Sequence, residues 1–177
     1  MLEHITHTLP PVFDANSRVL ILGTMPSPKS REQGFYYGHP QNRFWQVLAQ
    51  LWGEPLPLTP KDRLEFVLRH HLALWDVLAS CFIDGALDST IRQPEANDIP
   101  WILSQAPIRH ICTTGGKAAQ LYKRYCLPQT GLPALELPST SPANCRTKLP
   151  QLVEAYRPIK QLAESPYENL TKSSQSL

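Results

Sequence analysis

The run Tyr36-Tyr37-Gly38-His39-Pro40-Gln41-Asn42 sets two aromatic rings, an imidazole and a side-chain amide close together in the chain. Rings of this kind stack on a nucleobase, worth about 1–3 kcal/mol per base in single-stranded sites. An amide places a donor beside an acceptor, the pattern that reads a purine or pyrimidine edge. The run therefore suits a pocket for one nucleobase. Other roles fit the same residues: both tyrosines can pack into the core, Asn42 can cap a helix, and His39 before Pro40 can be structural. Asp76 and Asp88 are possible acids, or caps of turns.

Two further loops carry small hydroxyls, glycine amides and isolated cations, the donor set for phosphate oxygens. They are Thr113-Thr114-Gly115-Gly116-Lys117 and Pro138-Ser139-Thr140-Ser141-Pro142-Ala143-Asn144-Cys145-Arg146. The loop after Gly23 adds Thr24, Ser27, Ser30, Lys29 and Arg31. Gly-Gly-Lys before a helix is also an ordinary helix entry.

Elements that position these loops are legible from apolar runs and caps. Residues 18–22, apolar from Val19 onward, read as a strand buried on both faces. Phe44, Val47, Leu48 and Leu51 recur at helical spacing until Gly53 ends the helix. Thr59-Pro60 opens a second helix reaching about His70. Residues 72–81 read as a strand, or a strand running into a turn, and 84–94 as an exposed polar loop. Asn97-Asp98 caps a short helix through Ser104. Residues 108–113 and 134–137 are further strands, with a helix after Lys117 carrying Ala118, Leu121, Tyr122 and Tyr125. Thr147 is expected to cap a last helix bearing Leu149, Leu152, Val153 and Tyr156. Residues 1–16 read as a lead-in with turns at Pro10-Pro11 and Asp14–Ser17. The alternation predicts an α/β fold, a three-layer sandwich around a short, mostly parallel sheet. Ligands then bind at the carboxyl ends of the strands, where the three loops meet.

Composition sets the outer limits. The chain has 177 residues, 42% hydrophobic and 18% charged, enough for one domain over residues 1–165 and a polar, mobile tail over 166–177. No apolar window reaches membrane-spanning length. The start, MLEHITHTLPPVF, lacks a basic segment and an apolar signal core, so a cytoplasmic location is expected. A net charge of +2 with six histidines is compatible with a nucleic-acid partner without requiring one. Cys81, Cys112, Cys126 and Cys145 stand singly, which favours free thiols over disulfides or a metal centre. Gly-x-Ser-x-Gly, Gly-x-x-x-x-Gly-Lys-Ser/Thr and His-x-x-x-His are all missing, which removes the serine hydrolase, nucleotide triphosphatase and metalloprotease readings.

The ordered strings GTMPS, GFYYGHPQNRFWQVL, ALWDVLASC, LDSTI, LPSTSPAN and KLPQLVEAYRPI resemble the uracil-DNA glycosylase superfamily over about residues 16–160. The details are most similar to its hypoxanthine-DNA (deoxyinosine) branch, related to the mismatch-specific uracil enzymes. The resemblance implies a DNA groove across the carboxyl edge of the sheet and a damaged base flipped into a fitted pocket. It also implies hydrolysis of the N-glycosidic bond with no cofactor, neither a metal nor a lysine Schiff base. Asn42 becomes the candidate catalytic group. Tyr37 falls where a base-stacking phenylalanine stands in the mismatch enzymes, and Thr24, Met25 and Ser139 join it around the base. Pro26, Ser27, Lys117, Ser141, Pro142, Asn144 and Arg146 are assigned to the DNA, with Asn144 as the residue entering the vacated stack.

This sequence departs from the uracil enzymes at two points. Met25 occupies the place of a water-activating Asp or Asn, and the third loop has no histidine. The expected activity is release of a deaminated base from DNA, hypoxanthine first. A uracil or mixed-specificity mismatch glycosylase and a non-catalytic nucleic-acid-binding protein remain open, with no membrane partner in any of the three.

Overall fold

A computed structural model of the chain describes residues 1–165; the tail assigned to 166–177 lies outside the described residues. Two sheets organise the fold. The first is parallel, in the order β3-β2-β6-β7, formed by β2 (Val19–Gly23), β3 (Leu72–Asp76), β6 (His110–Thr114) and β7 (Ala134–Leu137). Every residue of β2 and β3 is buried, so both faces of this sheet are covered, as a parallel sheet requires. Helix α2 (Phe44–Trp52) packs on α7 (Leu149–Glu164), which also touches β2; α3 (Pro60–Arg69) lies on β3, and α5 (Gly116–Tyr125) on β6 and β7. The remaining helices are α1 (Pro28–Gln33), α4 (Ile99–Gln105) and α6 (Leu127–Thr130). The α/β architecture agrees with the expectation from sequence.

The second sheet is antiparallel, in the order β1-β4-β5, from β1 (Glu3–Thr6), β4 (Leu78–Asp84) and β5 (Leu87–Ala96). It corrects two readings. The lead-in contains β1, paired residue for residue with β4 from Glu3↔Ile83 to Thr6↔Ser80. The expected polar loop over 84–94 is a hairpin whose second strand is β5, paired with β4 through several register shifts. Beyond β1 the chain crosses β3, where Val12 and Leu74 exchange backbone hydrogen bonds of 2.9 Å, and Leu9 and Val12 join the core.

Caps follow the residues that allow them. Thr59 Oγ1 accepts from Asp62 N–H to open α3, and Gly53 closes α2 at φ 62°. The expected Thr147 cap is corrected: α7 begins after Lys148, whose N–H donates to Gln151 Oε1 at 2.8 Å. Thr147 instead gives its carbonyl to Arg43 and its hydroxyl to Asn144.

Three of the four cysteines are buried and Cys145 is exposed. Burial pushes the Cys112 thiol up to about 12 and the Cys126 thiol up to about 11, and raises that of Cys81. Because the thiolate is the reactive form, titration with a disulfide reagent at pH 8 is expected to count one thiol in the native protein and four after denaturation.

Candidate functional site

The strands of the parallel sheet end beside one another. Gly23 of β2 is in register with Asp76 of β3, and Leu22 with Thr113 of β6, so Thr114 comes level with Gly23. These carboxyl ends form the floor of a cavity of about 320 Å³, within the range of small-ligand sites. Its walls come from the loop after β2, the third loop after β7, and the tip of the β4–β5 hairpin.

The loop after β2 is shaped by its own side chains. Ser27 caps α1, accepting from Ser30 N–H at 3.2 Å. Ser30 Oγ accepts from Gly38 N–H at 2.9 Å, and Trp45 Nε1–H donates to Tyr36 O at 3.2 Å. Tyr36 turns into the core, 3% exposed, and its hydroxyl donates to Pro10 O at 2.9 Å. Tyr37 takes the opposite course. Its φ of 53° lies in the left-handed region that costs a non-glycine residue backbone strain. The strained backbone turns the ring to the cavity, one face stacked on Phe44 at 3.8 Å and 13°. The Tyr37 hydroxyl meets Thr114 Oγ1 at 3.1 Å, and burial raises its pKa.

Asn42 does two things. Its Oδ1 accepts from Phe44 N–H at 2.9 Å, in the manner of a helix cap, and from the Thr140 hydroxyl at 2.8 Å. With the oxygen occupied, Nδ2 is the end of the amide left to a ligand in the cavity that Asn42 lines. His39 shapes the turn, its Nδ1 accepting from Gln41 N–H at 3.1 Å and its carbonyl from Asn42 N–H at 2.9 Å.

Arg43 ties the third loop to the start of α2. Its guanidinium donates to the carbonyls of Ser141 (2.9 Å), Asn144 (2.8 Å), Thr140 (3.4 Å) and Thr147. Gly115, at φ 92°, lets β6 turn into α5 beneath Ser139, whose Cβ would be 3.3 Å from an added Cβ.

Thr24, Met25, Pro26, Ser27, Tyr37, Asn42, Ser139, Ser141 and Pro142 thus border one cavity, whereas Lys117, Asn144 and Arg146 stand outside its wall. Asn144 turns inward, its Nδ2 donating to Ser139 O at 2.9 Å and to Thr147 Oγ1 at 3.1 Å. It braces the loop in this conformation instead of projecting from it. Thr113 is fully buried in the sheet and lies off the cavity.

Both aspartates that the sequence left open reach the cavity. Asp76 sits on the floor, 5% exposed. Asp88 sits on the exposed hairpin tip. Desolvation of the Asp88 carboxyl raises its pKa, opposed by Lys117 and by a hydrogen bond from Thr24 and reinforced by the Asp76 charge. A carboxyl whose folded-state pKa is raised weakens the fold at neutral pH, and this cost disappears as pH falls below its unfolded value. Asp88→Asn is therefore expected to stabilise the protein at pH 7 by less than about 1 kcal/mol for so exposed a residue, seen as a small rise in melting temperature. The gain should shrink when melting is repeated near pH 3.5.

A pocket with an aromatic wall and an oriented amide at a strand-end edge agrees with the family whose sequence pattern spans residues 10–160, the Uracil DNA glycosylase superfamily. The chain belongs to this superfamily. Membership makes DNA its substrate and cleavage of a base from the sugar its class of reaction. Two relatives from Methanosarcina carry the name Hypoxanthine DNA glycosylase. That of M. barkeri is 35% identical over 139 residues, covering 78% of this chain and 87% of its own. That of M. acetivorans is 35% identical over 144 residues, covering 80% and 90%. The solution NMR structure of an M. acetivorans protein, proposed to be a uracil DNA glycosylase, superimposes with a TM-score of 0.73 at 31% identity. It covers 90% of this chain and 99% of that one.

Proposed function

We propose that this protein flips a deaminated base out of DNA, hypoxanthine by preference, and hydrolyses its N-glycosidic bond. The observation that carries this reading is the engagement of Asn42 Oδ1 by Phe44 N–H and the Thr140 hydroxyl. That engagement commits the Nδ2 donors to whatever fills the pocket beside Tyr37. The names of the two Methanosarcina relatives support hypoxanthine as the base.

In the reaction the C1′–N9 bond breaks, its electron pair passes to the purine, and water adds to C1′ while its proton passes to the released purine anion. The transition state carries positive charge on the sugar and negative charge on the base. A preorganised donor such as Asn42 Nδ2, aimed at the base oxygen or N7, stabilises the developing negative charge by about 3–4 kcal/mol. Tyr37, already stacked on Phe44, offers its second face to the base. The DNA phosphates, held along Ser27, Ser141 and Pro142 with Lys117 and Arg146 further out, stabilise the cationic sugar. Met25 supplies no base for water, so the chemistry relies on the departing base. Deaminated bases also pair poorly, which lowers the cost of extrusion.

The test is single-turnover incubation of excess protein with duplexes carrying one hypoxanthine, xanthine or uracil, followed by alkaline cleavage of abasic sites. Strand scission at hypoxanthine ahead of uracil is the expected result. Scission confined to uracil would replace the substrate assignment. Binding without any scission would make the protein a reader of damaged DNA instead of an enzyme.

A further inference from the structure

Among the described residues two carboxyls line the cavity, held at different depths. Asp76 is at the floor, 5% exposed, with Oδ2 2.8 Å from Nε2 of the buried His7. Asp88 is at the mouth. It follows a two-residue turn, Gly85-Ala86, between the paired Asp84 of β4 and Leu87 of β5. Gly85 makes the turn at φ 57°. Thr90 Oγ1 braces it, accepting from Asp84 N–H at 2.9 Å and donating to Leu87 O at 2.6 Å. From this turn the Asp88 carboxyl reaches the loop after β2, where the Thr24 hydroxyl donates to it. It also faces Lys117 on α5, a helix that packs against β5. Thr24 is itself fixed, 8% exposed, its carbonyl accepting from Leu78 N–H at 3.1 Å. Beside Thr24, Met25 offers the cavity only a thioether, which is no base. The other ionisable side chains on the wall are Tyr36, Tyr37 and His39. Burial raises the pKa of both tyrosines and keeps them protonated, and His39 commits Nδ1 to Gln41 N–H.

We infer that the Asp88 carboxylate, at the tip of the β4–β5 hairpin, holds the water that attacks C1′ and takes its proton. The inference deepens the glycosylase reading above and rests on it. A nucleotide entering base first puts its ring on the floor and leaves its sugar at the mouth. The mouth carboxylate therefore meets the reacting carbon. In the step, the C1′–N9 electron pair leaves with the purine, the water oxygen bonds to C1′, and one water proton moves to Asp88. That proton then passes to the purine anion, which restores the carboxylate. The same negative charge faces the cationic sugar while the bond breaks. Desolvation raises the Asp88 pKa, with help from the Asp76 charge and against Lys117 and Thr24. A carboxylate so raised is a stronger base for water. Such an acid weakens the fold where it stands, a trade common where a site is set for chemistry.

The test is single-turnover base release by wild type, Asp88→Asn and Asp88→Glu, followed across pH on hypoxanthine and xanthine duplexes. Asp88→Asn keeps the size of the side chain and removes the base. It is expected to lower the rate at neutral pH by about 100-fold or more, the range of a positioned general base. Hypoxanthine and xanthine should be slowed alike, because the change acts at the sugar. Binding to a duplex with non-cleavable 2′-fluoroarabino-hypoxanthine should not weaken, since losing a negative charge beside phosphates removes no cation from them. The same substitution is expected to stabilise the fold, so misfolding does not mimic the lost rate. The wild-type rate should climb with pH as Asp88 ionises and then level off. Asp88→Glu should keep this climb and Asp88→Asn should lose it. The charged and titratable groups around Asp88 are Lys117 on α5, Asp76 on β3, Cys81 on β4 and His39 on the cavity wall. A climb that survives in Asp88→Asn belongs to one of these and overturns the inference. So does near-normal release by Asp88→Asn, or a loss confined to one of the two bases. No release of hypoxanthine, xanthine or uracil by the wild type would instead sink the glycosylase reading itself.

Discussion

Asn42→Ala is expected to lower the rate of base release from a hypoxanthine duplex by roughly 10²–10³-fold, the loss that follows removal of one preorganised transition-state donor. Alanine also deletes the acceptor of Phe44 N–H at the entry to α2, at a cost near 1 kcal/mol of stability. Asn42→Asp separates the two effects. An aspartate retains an oxygen for Phe44 N–H and the Thr140 hydroxyl but brings no N–H to the base. It should therefore match alanine in lost rate while melting close to the wild type. Single-turnover rates and thermal melts on the three proteins check this. An Asn42→Asp protein of near-normal rate would show that the amide serves the helix alone.

Arg43→Ala is expected to destabilise the protein by about 3 kcal/mol and to abolish most binding to damaged DNA. One guanidinium satisfies carbonyls of Thr140, Ser141, Asn144 and Thr147, and buried acceptors stripped of a donor cost about 1–3 kcal/mol each where water cannot replace it. For a chain of this size the loss corresponds to roughly 6–12 °C in melting temperature. Lysine, a point charge with no planar fork, should recover less than half of it. Since the third loop carries Ser139, Ser141 and Pro142 to the cavity, the affinity for a hypoxanthine duplex should fall further than the loss of a single positive charge accounts for. Titration at two salt concentrations makes that distinction, because a lost phosphate contact alters the salt dependence of binding.

The parallel sheet was legible in the sequence because β2 and β3 are short, mainly apolar runs, and the helices nearest them carry a glycine stop after α2 and a threonine cap before α3. The antiparallel sheet was not. In β5 only Ile91 is buried, and β1 has no buried residue, so neither shows an apolar pattern. Both are strands because β4 lies between them, a long-range pairing that local propensity does not encode. The same pairing delivers His7 to Asp76 across 69 positions of sequence. This explains why Asp76 could be read only as an acid or a turn cap. For Asn42 the sequence offered helix cap and ligand contact as rivals. An amide has two ends, and the oxygen that accepts from Phe44 N–H at the entry to α2 leaves the nitrogen to the pocket. Thr147 was read as a cap from its place before α7, but its carbonyl and hydroxyl are taken by Arg43 and Asn144.

The two sheets give the cavity parts of unequal mobility. Gly23, Asp76 and Thr114 lie level on three adjacent parallel strands, spaced at about 4.8 Å by the backbone ladder and buried under helices. Their amides can exchange with solvent only through openings close to global unfolding. The hairpin tip at Gly85–Asp88 has exposed residues, and shifted register in the ladder behind it, so it opens at far lower free energy. The rim can therefore move while the floor holds its geometry. Such a division lets loop changes alter the pace of turnover while leaving unchanged what the pocket accepts.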